Sequence, residues 1–277
     1  MAVNVALLGT GKMGAAIAHR LAGAGFELTL WNRTPDRARA VGAGRVAGTA
    51  AEAAESADIV LSILYDAASL RQVYGGLRPR RGQVFVEMST AGAGVPDELA
   101  AGLAPAGAEL LAAPILGSIP AIEQGSALIL VGGDAAAFER ARPVLAAFGQ
   151  PELAGTRLDA ASLKLLANAM LHVGTLAAAE LMAAGRRSGL EPEAVFRLLC
   201  RTMPYLQARR RGYLEHAHDH PTFALSGAVK DQGLALDLGR AHGAAMPLLA
   251  LSRELYALAE PEHGSEEMTA VIERYPR

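Results

Sequence analysis

The sequence is poor in cysteine, lysine and aromatic residues, and it carries almost no net charge. Cys200 is its only cysteine, which excludes an intrachain disulfide framework. The 26 basic and 28 acidic residues leave a formal net charge of -2. Because no broad basic field is present, we expect neither nucleic acid nor an anionic membrane surface as a partner, and small molecules remain the expected ligands.

Long apolar runs are lacking as well. No segment approaches the roughly 18 to 20 uninterrupted apolar residues of a membrane span, and the chain passes from Met1 into an alternating apolar segment without a basic leader. These absences predict a cytoplasmic protein. The 277 residues, 51% of them hydrophobic, suffice for one large or two ordinary domains and exclude a disordered chain.

The first half alternates short apolar runs, which predict buried strands, with Ala-rich amphipathic stretches, which predict helices. The predicted strands cover residues 3–8, 28–31, 59–64, 84–88 and 127–131. Such alternation is typical of an α/β fold with a doubly wound parallel sheet and helices on both faces. We expect this Rossmann-like domain to span residues 1–158, with no strand after about Gly149.

The second half predicts helices alone. From about Asp159 up to Gly189 the sequence is rich in Ala, Leu and Met, and only Gly174 and Gly185 interrupt it before that end, so we expect one long connecting helix over residues 159–190. An all-α domain follows over residues 191–277. The small residues of the connecting helix would let another helix pack closely, and a kinked core helix is the alternative. Together with the apolar content of the helical domain, they predict a homodimer or a higher homo-oligomer.

A glycine-rich motif directly follows the first predicted strand and opens a helix. It reads Gly9-Thr10-Gly11-Lys12-Met13-Gly14. In this context the first glycine permits a tight turn, the second lets backbone N–H groups approach a pyrophosphate, and the third allows close packing of helix on strand. The motif predicts a dinucleotide site, and a purely structural glycine turn is the alternative.

The second strand ends in Asn32-Arg33-Thr34, at the position where an acidic residue would bind the 2′-hydroxyl of NAD. Arg33 can instead pair with a 2′-phosphate, while Asn32 or Thr34 adds hydrogen bonds and Arg37 supports it. We therefore predict NADPH or NADP as the cofactor, with NADH less favoured. The alternative is an exposed loop arginine without a ligand.

Only three lysines occur, Lys12, Lys164 and Lys230, and a lysine can release a proton near neutral pH where an arginine cannot. Lys164 and Asn168 are four residues apart, so they would share one face of the long helix. The ammonium could donate a proton to a carbonyl oxygen that the amide orients. A surface lysine beside a solvated asparagine is the alternative.

Two polar stretches favour solvated surface over chemistry. His216, His218 and His220 could suggest a metal site, but their spacing without a nearby cysteine favours a solvated turn. The run 209–211, Arg-Arg-Arg, predicts a solvated helix face. We expect no metal.

In order and spacing, these segments resemble the β-hydroxyacid dehydrogenase family. The family includes 3-hydroxyisobutyrate dehydrogenases and glyoxylate/succinic semialdehyde reductases, with an NAD(P)-binding domain like that of 6-phosphogluconate dehydrogenase. The resemblance spans nearly the whole chain. Besides the motifs above, it rests on Glu87-Met88-Ser89-Thr90, on Ala113-Pro114-Ile115-Leu116-Gly117-Ser118 with Gln124-Gly125, and on Phe223 with Lys230-Asp231.

The resemblance implies roles at the cofactor and at the reacting group. Lys164 would be the catalytic acid/base, and Asn168 would assist it. Thr90 would lie beside the nicotinamide end of the cofactor, and the loop that contains Leu64 and Tyr65 would line the cofactor cleft.

The resemblance also implies a substrate pocket. Gly117 and Ser118 would contact the substrate's carboxylate. Phe223, Lys230 and Asp231 would close the pocket from the helical domain, and Lys230 is also expected near the cofactor.

The departures from the family pattern fall at the substrate end. Leu116 stands where the family usually has a serine, and Tyr65 stands where a proline is common. The glycines expected shortly before Lys164 are replaced by Asp159-Ala160-Ala161-Ser162. A more apolar pocket mouth would suit a bulkier or less charged carbonyl compound.

The sequence therefore predicts an NADPH-dependent oxidoreductase that reversibly reduces an aldehyde or keto acid to a hydroxyacid. Two alternatives stay open. One is an imine reductase on the same fold, for which Asp159 would be the acidic group. The other is a non-catalytic protein that binds NADPH.

Overall fold

The computed structural model describes residues 3–275 and divides them into two compact units, of which the first ends at Lys164 and the second begins at Leu165. The first unit is built on a six-stranded sheet in the order β3-β2-β1-β4-β5-β6, and every neighbouring pair is parallel. Its strands are β1 (Asn4–Leu8), β2 (Glu27–Trp31), β3 (Arg45–Val46), β4 (Ile59–Ser62), β5 (Val84–Glu87) and β6 (Glu109–Ala112). The strand order changes direction between β1 and β4, and ligands bind at the carboxyl ends of strands beside such a switch point.

Helices cover both faces of this sheet, as the two separate hydrophobic clusters on its faces require. They are α1 (Lys12–Gly23), α2 (Pro35–Val41), α3 (Ala50–Glu55), α4 (Ala67–Gly75) and α5 (Val95–Leu103), followed by a 3₁₀ turn (Ala104–Ala106). Local chemistry sets several helix starts: the Asp66 carboxylate accepts from Ser69 N–H, and the Thr49 hydroxyl accepts from Glu52 N–H. The doubly wound prediction is confirmed.

A second, smaller sheet follows within the first unit, and the sequence did not predict it in full. Its order is β7 (Ile115–Leu116), β8 (Ala127–Val131) and β9 (Gly149–Leu153), with β7 antiparallel and β9 parallel to β8. The helices α6 (Ile119–Glu123) and α7 (Ala135–Ala146) connect these strands. The expectation of no strand after about Gly149 was therefore wrong: β9 is an edge strand with a central Pro151, so it lacks the apolar β-branched run that predicts strands.

The second unit is all-α, as predicted. The long helix α8 (Arg157–Arg187) leads into it, and the further elements are α9 (Pro192–Thr202), a 3₁₀ helix (Pro204–Arg209), α10 (Arg210–Leu214), α11 (Leu225–Ala241), α12 (Pro247–His263) and a second 3₁₀ helix (Met268–Arg274). Its core is built around buried Phe196, Tyr213, Tyr256 and Met268. Among the described residues of this second unit, the only β-type pairing is one isolated bridge between Ala224 and Glu267.

Helix α8 is apolar along most of its length. By length and composition it could cross a membrane, with a mean hydropathy of 1.4 over its best 18-residue window, but 56% of that window is buried within the protein. A core helix of a globular protein has the same composition. Its exposed positions include Leu163, Leu166 and Met170, which form an apolar stripe at i, i+3, i+7 spacing.

Candidate dinucleotide and active site

A cavity of about 910 Å³ lies in the first unit, where the glycine-rich motif meets the loops after β2 and β4. Most of the predicted cofactor residues line it: Gly9, Gly11, Lys12, Met13, Gly14, Asn32, Arg33, Thr34, Leu64 and Tyr65. Trp31, the only tryptophan of the chain, and Arg37 line it as well. The structure therefore brings residues of three separate loops, those after β1, β2 and β4, to one cavity.

The three motif glycines occupy three different environments. Gly9 has a φ of +107°, and a Cβ there would lie 2.2 Å from the carbonyl oxygen of Ile63. A Cβ on Gly14 would lie 2.1 Å from the carbonyl oxygen of Gly9. At Gly11 a Cβ would meet nothing within 4 Å. Gly9 and Gly14 are thus required by the fold of the loop, whereas Gly11 leaves open space on the cavity side.

The side chain of Thr10 suggests that the glycine-rich loop binds a polar ligand group. Its backbone N–H donates to Asn32 Oδ1 over 3.2 Å, which ties the motif to the loop after β2. Its Oγ1 is buried and finds no hydrogen-bond partner among the described residues. Gly11 is the N-cap of α1, and no side chain caps this helix start. A buried hydroxyl, an open glycine and an uncapped helix N-terminus fit the pyrophosphate of a dinucleotide.

Three arginines, Arg33, Arg37 and Arg78, are also among the residues that line the cavity. The sequence had not pointed to Arg78, which no motif marks. Glu52 also lines the cavity, but its carboxylate accepts from Gly48 N–H and from Arg45, and these two bonds hold the pKa of Glu52 below its ordinary value. The cluster of arginines suits a phosphate on the adenosine ribose.

Lys164 and the substrate segment also lie in the first unit. The Nζ atom of Lys164 donates to the carbonyl oxygen of Ile115 over 2.7 Å. Leu116 follows in β7, and the exposed Gly117 and Ser118 precede α6, with Ser118 at its N-cap. The ammonium is therefore anchored beside the segment that the resemblance assigns to the substrate. Thr90, half-buried, lies three residues after the end of β5.

Asn168, Lys230 and Asp231 come together in the helical unit. Asn168 is 4% exposed, and its Nδ2 donates to Asp231 Oδ2 over 2.6 Å. Lys230 Nζ lies 3.2 Å from Asp231 Oδ1. Asp231 is only 1% exposed; its Oδ2 accepts the hydrogen bond of Asn168, whereas its buried Oδ1 accepts no hydrogen bond among the described residues and is paired with Lys230 by charge alone. Sequence spacing had paired Asn168 with Lys164 and gave no sign of its bond to Asp231.

Phe223 is held from both sides by the C-terminal part of the unit. Glu267 Oε2 accepts from the Phe223 N–H over 3.1 Å, and the Phe223 carbonyl accepts from Met268 N–H over 2.9 Å. The other oxygen of Glu267 lies 3.3 Å from Arg209 Nε, in a pair whose side chains are 9% and 11% exposed. The expectation of a solvated arginine run was therefore wrong for Arg209, because a carboxylate 58 positions away covers it.

The histidine stretch is also less solvated than expected. The side chains of His216 and His218 are only 15% and 5% exposed, and both contact Glu273 Oε1, while His220 is exposed. Arg186 donates to Nε2 of His216 over 2.6 Å, which places the proton of a neutral His216 ring on Nδ1, the atom that faces Glu273. The three groups are of metal-ligating type, and the structure shows them hydrogen-bonded to one another and to Arg186 and Thr269.

Comparison of this sequence with known protein families shows the family to which it belongs. Residues 4–164 match the family described as the NAD-binding domain of 6-phosphogluconate dehydrogenase, and residues 159–275 match the NAD-binding domain of NADP-dependent 3-hydroxyisobutyrate dehydrogenase. The chain belongs to the β-hydroxyacid dehydrogenase family. It is thus an NAD(P)-dependent oxidoreductase that acts on CH–OH or C=O groups, as the sequence predicted.

Relatives match this β-hydroxyacid dehydrogenase over its full length. L-threonate dehydrogenase of Cupriavidus necator is 28% identical over 100% of this chain and 97% of its own. Glyoxylate/succinic semialdehyde reductase 1 of Arabidopsis thaliana is 28% identical over 98% of both chains. The solved structure of Mycobacterium tuberculosis 3-hydroxyisobutyrate dehydrogenase with L-serine is 27% identical, with a TM-score of 0.86 over 99% of both chains.

Proposed function

We propose that this β-hydroxyacid dehydrogenase uses NADP(H) to interconvert a carboxylated aldehyde or keto acid and its hydroxyacid, with Lys164 as the general acid/base. The observation that carries the proposal is the bond from Lys164 Nζ to the Ile115 carbonyl, 2.7 Å long. It anchors the ammonium next to the residues 116–118, in the same unit as the dinucleotide cavity.

NADP(H) held in the cavity would supply the hydride in reduction and accept it in oxidation. Lys164 donates its proton to the carbonyl oxygen of the substrate, and in the opposite direction the neutral amine takes the proton from the hydroxyl. The Ile115 carbonyl directs one N–H of the ammonium and thereby orients the remaining two. Asn168 assists by hydrogen bonding, with its amide fixed by Asp231.

The cofactor assignment rests on the motif and the arginines. Gly9, Gly11 and Gly14 shape the loop for the pyrophosphate, with Thr10 Oγ1 as an additional hydrogen-bond partner. Arg33 pairs with the 2′-phosphate, and Asn32, Thr34 and Arg37 complete that end of the site. The family match to an NADP-dependent dehydrogenase supports this preference. Lys12, Met13, Leu64, Tyr65, Thr90 and Lys230 complete the proposed cofactor contacts.

The substrate assignment follows the residues beside Lys164. Ser118 and Gly117 bind the carboxylate, and Phe223 and Asp231 are the further substrate contacts that we propose. Leu116 replaces a hydroxyl by an apolar side chain, so the preferred carbonyl compound carries an apolar group near its carboxylate. Relatives named for threonate, glyoxylate and succinic semialdehyde support a small carboxylated substrate.

We further propose a cytoplasmic homodimer or higher homo-oligomer. The exposed stripe of Leu163, Leu166 and Met170 on α8 supports this assembly, since exposed apolar stripes of this kind commonly mark protein interfaces. Light scattering during size-exclusion chromatography should give a mass of at least two chains at micromolar concentration. A single-chain mass throughout the dilution range would refute the proposal.

Asp159, the residue that would be the acidic group of an imine reductase, has a structural role instead. Both Oδ2 bonds of Asp159 serve the start of α8: it accepts from Thr156 N–H over 2.8 Å and from Thr156 Oγ1 over 2.7 Å. These bonds hold the pKa of Asp159 below its ordinary value, which keeps the group ionised and unable to donate a proton at neutral pH. No observation favours imine chemistry over carbonyl chemistry.

The test is NADPH oxidation by the purified protein with glyoxylate, succinic semialdehyde, methylmalonate semialdehyde and a cyclic imine, each with wild type and Lys164→Ala. We expect turnover of at least one aldehyde acid, and a loss of about 10²- to 10⁴-fold in the variant. Retained NADPH binding in Lys164→Ala would show that the loss is chemical. Turnover of the imine alone, unchanged in the variant, would overturn the proposal.

A further inference from the structure

Two hydrogen bonds of buried side chains connect β5 to the loop after β4, which lines the dinucleotide cavity. Glu87 ends β5 and is 2% exposed, and its Oε1 accepts from the Ser89 N–H over 2.6 Å. Ser89 is 8% exposed, and its Oγ accepts from the Leu64 N–H over 2.8 Å. Two bonds therefore connect a buried carboxylate to the backbone of a loop that lines the cavity.

The loop that receives this bond supports the glycine motif directly. A Cβ on Gly9 would come within 2.2 Å of the Ile63 carbonyl oxygen and 3.0 Å of Leu64 Cδ2. A Cβ on Gly14 would lie 3.3 Å from Ile63 Cγ2. The carbonyl and side chain of Ile63 and the side chain of Leu64 are thus packed against the turn that approaches the pyrophosphate.

Two further hydrogen bonds flank this point of the loop. On one side, the Ile63 N–H donates to the Leu8 carbonyl and continues the pairing of β4 with β1. On the other side, the Asp66 carboxylate caps α4. Leu64 and Tyr65 lie between these two fixed points and both line the cavity. The Ser89 hydroxyl accepts from the backbone within this interval, at the Leu64 N–H.

We infer that Ser89, itself held by Glu87, is a positioning residue for NADP(H): it fixes the wall formed by residues 63–65 and acts on the cofactor only through that wall. Neither Glu87 nor Ser89 lines the cavity. The inference depends on the dinucleotide site and not on the identity of the carbonyl substrate. Its test is therefore a binding measurement, whose outcome is independent of turnover.

The decisive variant is Ser89→Ala, which leaves the Leu64 N–H without its acceptor. Trp31 lines the cavity and is the only tryptophan, so its fluorescence reports NADPH binding in the full chain. We expect the Kd for NADPH to rise about three- to tenfold, since a buried donor without a partner favours other loop conformations. Ser89→Thr keeps the hydroxyl and should keep Kd within about twofold of wild type.

Ser62→Ala is the matched control. Ser62 is fully buried at the end of the neighbouring strand β4, and its hydroxyl is hydrogen-bonded to that of Tyr74 on α4 over 2.8 Å. This variant loses a buried hydroxyl of the same kind, so its thermal stability should fall while its Kd for NADPH stays within about twofold. With any carbonyl substrate that the enzyme turns over, Ser89→Ala should raise KM for NADPH and leave kcat nearly unchanged.

A Kd in Ser89→Ala that equals that of Ser62→Ala or of wild type would overturn the inference. Should Ser89→Ala fail to fold, hydrogen exchange in the wild-type protein decides. The Leu64 amide should then be protected to the level of the sheet amides without NADPH. Fast exchange of that amide would show that the bond does not hold the loop.

Discussion

Gly11 and Gly14 provide a pair of identical substitutions with opposite expected effects. Gly11 has φ -67° and ψ -172°, which alanine adopts readily, and its Cβ would meet no protein atom within 4 Å. The loss of unfolded-state entropy stabilises Gly11→Ala by about 0.4 to 1 kcal/mol, and the poorer N-cap costs a similar amount. The free energy of unfolding should therefore stay within about 1 kcal/mol of wild type.

Gly14→Ala should behave differently because its Cβ would lie 2.1 Å from the Gly9 carbonyl oxygen and 3.0 Å from the carbonyl carbon. Both contacts are with backbone, which cannot rotate away. Overpacking of this kind costs about 1 to 3 kcal/mol, against a gain of about 1 kcal/mol in helix propensity at most. At about 2 to 4 °C per kcal/mol, Tm should fall by several degrees.

The assay is a thermal scan of both variants without cofactor, followed by titration with NADPH. Gly11→Ala should keep its Tm and raise Kd about 10- to 100-fold, equivalent to about 1.4 to 2.7 kcal/mol, because its methyl group occupies the space left for the pyrophosphate. In Gly14→Ala, by contrast, the main effect should be a lower Tm. Equal losses of Tm in the two variants, or unchanged NADPH binding in Gly11→Ala, would refute the reasoning.

Two further predictions concern charge. Arg33→Ala should raise KM for NADPH about 10- to 100-fold through the loss of charge-assisted hydrogen bonds to the 2′-phosphate, with KM for NADH within about twofold; equal effects on both cofactors would contradict the assignment. Burial raises the pKa of Tyr74, Tyr213 and Tyr256. Their neutral forms are favoured in the folded state, so this stabilisation is complete below the unfolded pKa of about 10 and is lost as the pH rises above it. Their tyrosinate absorbance at 295 nm should appear only together with loss of circular dichroism, and titration in the native state would contradict the packing.

Much of the fold was predictable because its signals are local. The strands β1, β4 and β5 are fully or almost fully buried, and fully buried strands give continuous apolar runs. The glycine motif is identified by its place after β1 as much as by its letters. The strand β9 gave no such signal, because four of its five residues are at least partly exposed and Pro151 interrupts it.

The part of the site that sequence missed depends on contacts between distant positions. Glu267 meets Phe223 and Arg209, and Asp231 meets Asn168, over separations that no periodicity encodes. Ser89 was visible only as a letter of a motif, because the bond of its hydroxyl to the Leu64 backbone depends on the register of two neighbouring strands. A hydrogen bond to a backbone group cannot be predicted from the residue type of its partner, because every residue except proline has the same N–H group.

The most direct test of the account is the single-turnover rate of NADPH oxidation in Lys164→Arg, with a carbonyl substrate of the wild-type enzyme at saturation. Arginine keeps the positive charge and can donate to the Ile115 carbonyl, but it cannot release a proton near neutral pH. We predict NADPH binding within about threefold of wild type and a hydride-transfer rate lower by at least about 10²-fold. A rate close to that of wild type would show that the charge of Lys164, and not its proton, serves the reaction, and would contradict its role as the acid/base.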